Sequence, residues 1–336
     1  MNILAIKKRF PGLMALVLGS GIGALPAALY AAAALPQLRI DRSEVTVSGL
    51  SSGAFMAVQL HVAYSGTFTK GVGAIAGGPF YCAENSTVHA LARCMKWPAG
   101  IPTQKLVATT QAWADQDRID STQHLARSRV YLFSGTEDGT VKPGVVGELA
   151  RYYAHWVPAA QRVYQQNIAA GHGIVTDGAG NACPSSASPF INNCGFDLVG
   201  QMFSHLYGPL QPKAQAEKAA GLREFDQTPF AAQGMAGTGW IYVPESCAAG
   251  GSACRLHIAL HGCRQNSDYV KDRFVQKAGY NRWAEANRMV VLYPQTGGDA
   301  PNGCWDWWGY SGHAYATRSG PQMKAVKGMV DRLLGK

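Results

Sequence analysis

The chain has 336 residues, 47% of them hydrophobic, with a formal net charge of +9. That length and apolar content are enough for one large catalytic domain, and the composition is not that of a disordered or low-complexity chain. The basic residues are scattered rather than interleaved with aromatics in runs, so the composition points away from nucleic-acid binding.

The N-terminus carries Lys7, Lys8 and Arg9, then an apolar stretch from Leu13 to Leu35 ending in the small-residue run at Ala31 to Ala34. This order fits a secretory signal over residues 1–34 and a catalytic domain over 35–336. An uncleaved membrane anchor is the competing reading, although Gly19, Gly21, Gly23 and Pro26 interrupt the stretch. No later segment reads as a membrane span, so the mature protein is expected to be secreted, to the periplasm or beyond. All eight cysteines follow the leader, an even number suited to an oxidising compartment. The expected bridges are Cys82–Cys94, Cys183–Cys194 and Cys247–Cys254, which close short loops, leaving Cys263 with Cys304. No C-x-x-C pair or histidine at finger spacing favours a metal.

Beyond the leader, β-rich apolar runs at Val45–Val47, Gly71–Ile75, Val130–Phe133, Trp240–Val243, Leu256–Leu260 and Met289–Tyr293 alternate with helical patterns. The expected helices are Ala54–Tyr64, Val145–Trp156, Phe274–Asn287 and Gln322–Leu334. Such alternation predicts a single α/β domain with a mostly parallel central sheet and flanking helices. The stretch from Gly171 to Pro212, rich in Gly, Asn, Ser and Pro, reads as a surface excursion forming a lid or cleft wall.

The first run enters Gly49-Leu50-Ser51-Ser52-Gly53 and then a helical pattern, the strand–turn–helix context of a nucleophile elbow. Ser51 is the candidate nucleophile. A serine hydroxyl needs an imidazole base and a carboxylate to orient it. The run ending at Phe133 leads into Glu137 and Asp138; Asp138 is the preferred acid, with Glu137 the alternative. His172, between Gly171 and Gly173, is the preferred base; His155, in a helical pattern, is the second choice. The oxyanion donors are expected to be the backbone N–H groups of Ser52, next to the nucleophile, and of Cys263, in the His261-Gly262-Cys263 loop after a strand. That loop ordinarily precedes the nucleophile, and too few residues lie before Ser51 to hold it, so a circular permutation is expected. A Cys263–Cys304 bridge would bring the Trp305-Asp306-Trp307-Trp308 run beside the reaction centre as an aromatic wall, although any one of these tryptophans could instead be core.

With these motifs in this order, the chain resembles the polyhydroxybutyrate depolymerase family of secreted α/β hydrolases, in its circularly permuted form. The resemblance rests on Gly-Leu-Ser51-Ser-Gly, Gly-Thr-Glu-Asp138, Ala-Gly-His172-Gly, His261-Gly-Cys263-Arg-Gln-Asn and Cys304-Trp-Asp-Trp307. It implies an α/β-hydrolase fold, a Ser51–His172–Asp138 triad, oxyanion donors at Ser52 and Cys263, and substrate contact at Trp307, to which Trp305 is added. It further implies hydrolysis of poly(3-hydroxybutyrate) or its oligomers through an acyl-enzyme, with no metal or organic cofactor. Many family members carry a linker and a C-terminal polymer-binding domain; no separate one is expected here. A monomer acting on polyester or oligoester is expected, without nucleic-acid or membrane partners after signal cleavage. Feruloyl or acetyl esters of polysaccharides are the alternative substrates, because related esterases share the elbow and the HG-type loop.

Overall fold

The computed structural model describes residues 32–248 and 251–336. The expected signal therefore lies outside the described residues, except for Ala32–Ala34 at its end. Among the described residues there are twelve strands: β1 (Ala33–Ala34), β2 (Ile40–Leu50), β3 (Gly71–Ile75), β4 (Arg129–Phe133), β5 (Arg162–Gln165), β6 (Ile174–Thr176), β7 (Asn181–Ala182), β8 (Ile191–Asn193), β9 (Leu222–Asp226), β10 (Thr238–Tyr242), β11 (Cys254–Leu260) and β12 (Met289–Tyr293). Nine of them form the main sheet in the order β1-β9-β10-β12-β11-β2-β3-β4-β5, and β6-β8-β7 form a small second sheet.

From β12 across to β5 every neighbouring pair is parallel, whereas β10 runs antiparallel to both β9 and β12. β3 and β12 are buried at every residue, as expected for parallel strands covered on both faces. The permutation is written in the strand order. β11 and β12 come late in the chain yet lie on the far side of β2, the strand that leads to Ser51. The ends of the domain meet, as such an order requires: the Leu38 N–H donates to the Leu333 carbonyl at 3.1 Å, and Arg332 Nε donates to the Leu35 carbonyl at 3.0 Å.

Buried side chains bind β2 to β11. His257 on β11 lies between Thr46 and Ser48 of β2, with Nδ1 at 2.7 Å from Thr46 Oγ1 and Nε2 at 2.8 Å from Ser48 Oγ. Ser48 Oγ also meets the Tyr280 hydroxyl at 2.9 Å, and Thr46 Oγ1 pairs with the Tyr207 hydroxyl. Every member thereby has a partner, the condition under which a buried polar cluster fixes a register rather than weakening a core.

Helices fall near their expected places at Ser52–Ala63, Pro143–Tyr153 and Pro321–Leu333. The expected helix over Phe274–Asn287 is instead two, Arg273–Lys277 and Tyr280–Ala286, because Gly279 takes a left-handed conformation at φ 94° and ends the first. The Gly171–Pro212 stretch is also more than a surface excursion. It holds the small sheet and a helix at Leu198–Tyr207 whose Leu198, Val199, Met202, Phe203 and Leu206 are core residues. All eight cysteines pair as expected: Cys82–Cys94, Cys183–Cys194, Cys247–Cys254 and Cys263–Cys304.

Gly53, at the start of the buried helix, passes so close to β11 that a Cβ there would lie 2.4 Å from the carbonyl oxygens of Leu260 and His261. Backbone cannot yield cheaply at such a contact, so Gly53→Ala is expected to destabilise the fold by about 3 kcal/mol or more. Chemical denaturation of the variant beside the wild type measures this; a midpoint unchanged at equal slope would contradict the close approach.

Candidate active site

β11, β2, β3 and β4 are parallel, so their C-terminal ends share one edge of the sheet, where open α/β sheets place their sites. Ser51 follows β2 at that edge with φ 57° and ψ −121°. This is a strained conformation for a residue with a side chain, and such strain is concentrated at functional positions. The turn is held from both sides: the Ser51 N–H donates to the Ile75 carbonyl at 2.9 Å, and the Ser51 carbonyl accepts from Ala54 and Phe55. It is tight enough to need glycine at position 49, where a Cβ would come within 2.3 Å of Gly53 backbone. The helix that follows, Ser52–Ala63, is buried at all twelve residues.

Asp138 follows β4 and is buried, whereas Glu137 beside it is exposed. One Asp138 carboxylate oxygen accepts from the Thr140 and Val141 N–H groups at 2.8 and 2.9 Å, and the other meets His172 Nδ1 at 2.8 Å. The loops carrying acid and base are stitched by backbone: Thr136 N–H donates to the Ile168 carbonyl and Glu137 N–H to the Ala170 carbonyl. Glycine at 135 permits that approach, since a Cβ there would lie 2.1 Å from the Ala170 oxygen. The His172 N–H donates to Ser186 Oγ at 2.8 Å, and the Gly171 N–H to the Cys183 carbonyl at 2.9 Å, so the Cys183–Cys194 segment backs the histidine. His155 is exposed beyond the end of the Pro143–Tyr153 helix and has no place in this arrangement.

The structure thus joins His172 to Asp138 by a hydrogen bond, while Ser51 Oγ and His172 Nε2 are not hydrogen-bonded in it. Loose serine–imidazole geometry is common in ligand-free sites. On the other side of Ser51, a Cβ on Gly262 would lie 3.4 Å from Ser51 Cβ, which places the His261-Gly262-Cys263 loop against the elbow. Among the described residues the N–H groups of Ser52 and Cys263 meet no protein acceptor, leaving both available to a ligand. His261 itself is fully buried: Nδ1 donates to the Gly262 carbonyl at 2.8 Å and Nε2 accepts from the Thr296 N–H at 3.3 Å.

A cleft of about 530 Å³ opens beside this loop, walled by Leu91, Met95, Cys263, Arg264, Trp307 and Trp308 among others. Trp307 stacks on Phe55 of the elbow helix, centroids 4.1 Å apart at 18°. Trp305 requires a correction, because it does not line the cleft. It is fully buried, and its Nε1 donates to the His261 carbonyl at 3.1 Å, so it props the HG loop from beneath and has no surface to offer a substrate. The residue that sequence reading passed over is Asp306. Its buried carboxylate accepts from the N–H groups of Trp308, Gly309, Tyr310 and Ser311, folding the loop that presents Trp307 and Trp308. An acid embedded among tryptophans was the available sign, since a buried carboxylate must find donors.

Three further histidines, His61, His257 and His261, are buried and neutral. Burial pushes His61 and His257 down to about 3 and His261 down to about 4. Their folded values lie below the unfolded one near 6.5, so their contribution to stability is complete above that pH. It is lost as pH falls, because the unfolded chain takes up protons that the folded chain refuses. At pH 5 each is expected to cost about 2 kcal/mol. Calorimetry should therefore show the melting temperature dropping by on the order of 10 °C between pH 7 and pH 5; a flat profile would contradict neutral burial.

Comparison with known proteins gives concordant similarities. Residues 237–335 match the family described as Esterase PHB depolymerase. The chain is 55% identical over 316 residues to a poly(3-hydroxybutyrate) depolymerase of Delftia acidovorans, aligning 93% of this chain but spanning 63% of that protein's length. It is 39% identical over 329 residues to a polyhydroxybutyrate depolymerase of Talaromyces funiculosus, covering 93% of this chain and 95% of the relative. Among solved structures, a PHB depolymerase complexed with an R3HB trimer superposes with a TM-score of 0.84 at 36% identity, over 90% of this chain and 99% of the other.

Proposed function

Because this chain belongs to the PHB depolymerase family, whose members are carboxylic ester hydrolases, we propose that it is an exported serine esterase that cleaves poly(3-hydroxybutyrate) or its oligomers to short hydroxyacids. The observation that carries this reading is the buried Asp138–His172 pair at the same sheet edge as the strained Ser51. In this reading Ser51 Oγ attacks the ester carbonyl carbon while His172 Nε2 takes the hydroxyl proton. Asp138, bonded to Nδ1, fixes the tautomer that leaves Nε2 able to accept it. The N–H groups of Ser52 and Cys263 receive the charge that develops on the carbonyl oxygen, the first from the N-terminus of a twelve-residue helix. His172 then protonates the departing alcohol and later activates the water that releases the acyl group from Ser51.

The substrate assignment is supported by the walls of the cleft. A polyester of 3-hydroxybutyrate presents methyl branches and uncharged ester links, which suit apolar surfaces at Leu91, Met95, Trp307 and Trp308. Val88, Leu91 and Trp97 stand exposed on the segment that borders the cleft, an apolar rim suited to a water-insoluble chain. Export is supported by four disulfides, and no helix among the described residues is long and apolar enough to cross a membrane. We place the leader at 1–34 and the catalytic domain, a monomer, at 35–336. Among the described residues, cleavage after Ala34 removes Ala32 and the exposed two-residue edge strand β1 and leaves the core residues from Leu35 onward in place.

Purified protein is expected to clear emulsified polyhydroxybutyrate and release 3-hydroxybutyrate or its dimer; activity confined to feruloyl or acetyl esters would overturn the substrate. A fluorophosphonate is expected to label the wild type and Ser52→Ala but not Ser51→Ala. Asp138→Asn should keep the fold while lowering kcat by roughly 10⁴-fold, since the amide favours the wrong imidazole tautomer; a loss below tenfold would remove Asp138 from the triad.

A further inference from the structure

The two halves of the proposed site are carried on different parts of the chain: Ser51 and the HG loop follow β2 and β11, and His172 lies in the segment before β6. One buried side chain spans them. Gln265 Oε1 accepts the Gly262 N–H at 2.7 Å, and its Nε2 donates to the carbonyls of Pro189 at 2.9 Å and Phe190 at 3.1 Å. It is 1% exposed. The orientation of the amide follows from chemistry, since a flipped amide would set its NH₂ against an N–H and its oxygen against two carbonyls.

Each end of this strut bears on a reacting group. At one end, Gly262 packs against the elbow, within 3.4 Å of Ser51 Cβ and of the Leu50 carbonyl when a Cβ is placed on it, and the next N–H is that of Cys263. At the other, the Phe190 carbonyl that takes the Gln265 donor also accepts the Ile174 N–H, two residues beyond His172. The Phe190 ring also lies edge-on to the imidazole at 6.4 Å between centroids. No ladder of the main sheet joins these loops.

We infer that Gln265 is a positioning residue that sets the separation between the His172 imidazole and the Ser51 and Cys263 pair. The inference rests on the roles given above to Ser51, His172 and the Cys263 N–H. Gln265 touches no reacting atom. Its effect is on alignment, where a displacement of about 1 Å costs roughly 10²-fold in rate. The loss should therefore appear in kcat, while the cleft walls that bind substrate stay in place.

The test uses p-nitrophenyl butyrate with Gln265→Ala and Gln265→Glu, both checked for folding by circular dichroism. Gln265→Ala is expected to lower kcat by roughly 10- to 100-fold with KM within about twofold of wild type. Gln265→Glu keeps the acceptor for Gly262 but, when ionised, turns negative charge on two carbonyls. Protonation restores a donor, so its kcat relative to wild type should rise roughly threefold or more from pH 8 to pH 5.5. A kcat within twofold of wild type in Gln265→Ala, a loss carried by KM alone, or a pH-independent ratio for Gln265→Glu would each overturn the inference. Should Gln265→Ala fail to fold, the Gln265→Glu ratio decides alone. A wild type inert to this ester would overturn the reading of the site itself, whereas an active wild type with an indifferent Gln265 overturns only the strut.

Discussion

The structure depends on how closely β2 and β11 approach at their C-terminal ends. The two strands pair in parallel with His257 opposite Thr46 and Leu260 opposite Gly49. At the end of the ladder Gly53 sits against the Leu260 and His261 carbonyls with no space for a methyl group. That contact brings the start of the elbow helix beside the HG loop, and the N–H groups of Ser52 and Cys263, one on each, meet no protein acceptor among the described residues. The buried Thr46–His257–Ser48–Tyr280 cluster holds the register upstream, and Trp305 beneath the His261 carbonyl holds the loop from behind.

The permutation follows from the same contact. A sheet fixes which strands are neighbours but not the order in which the chain visits them, provided the termini can meet. Here they do, through Leu38 with Leu333 and Leu35 with Arg332. The elbow strand becomes the first long strand of the domain, while β9, β10, β11 and β12 on its other side arrive after residue 220 without disturbing the site. The cost falls on connections that must reach back to the sheet edge. The Cys263–Cys304 bridge ties the HG loop to the aromatic loop, and the Asp306 carboxylate folds that aromatic loop onto the cleft.

Much of this was legible in the sequence because the central strands are buried on both faces and read as unbroken apolar runs, as in Gly71–Ile75 and Met289–Tyr293. The edges were not. β5 (Arg-Val-Tyr-Gln) and β9 (Leu-Arg-Glu-Phe-Asp) are half solvated, and their polar residues mask the strand signal. The Thr103–Asp115 helix also escaped notice, since its buried face mixes Thr103, Leu106, Val107, Thr110 and Trp113. The Leu198–Tyr207 helix was hidden behind a stretch rich in Gly and Asn. The glycines of the elbow and of the His172 loop were readable because close backbone approach needs them. Trp305 and Trp307 were not separable: two residues apart in an irregular loop, one faces the core and the other the cleft, and only three-dimensional packing decides which. Side chains that act by bridging loops, such as Gln265 and Asp306, leave no periodic trace.

The central claim is that ester cleavage passes through Ser51. Rapid acid quenching of the protein during hydrolysis of a 3-hydroxybutyrate oligomer, followed by peptide mass spectrometry, tests it most directly. A transient 3-hydroxybutyryl ester is expected on the peptide containing Ser51, at Ser51 itself. Turnover with the adduct on another residue would contradict it.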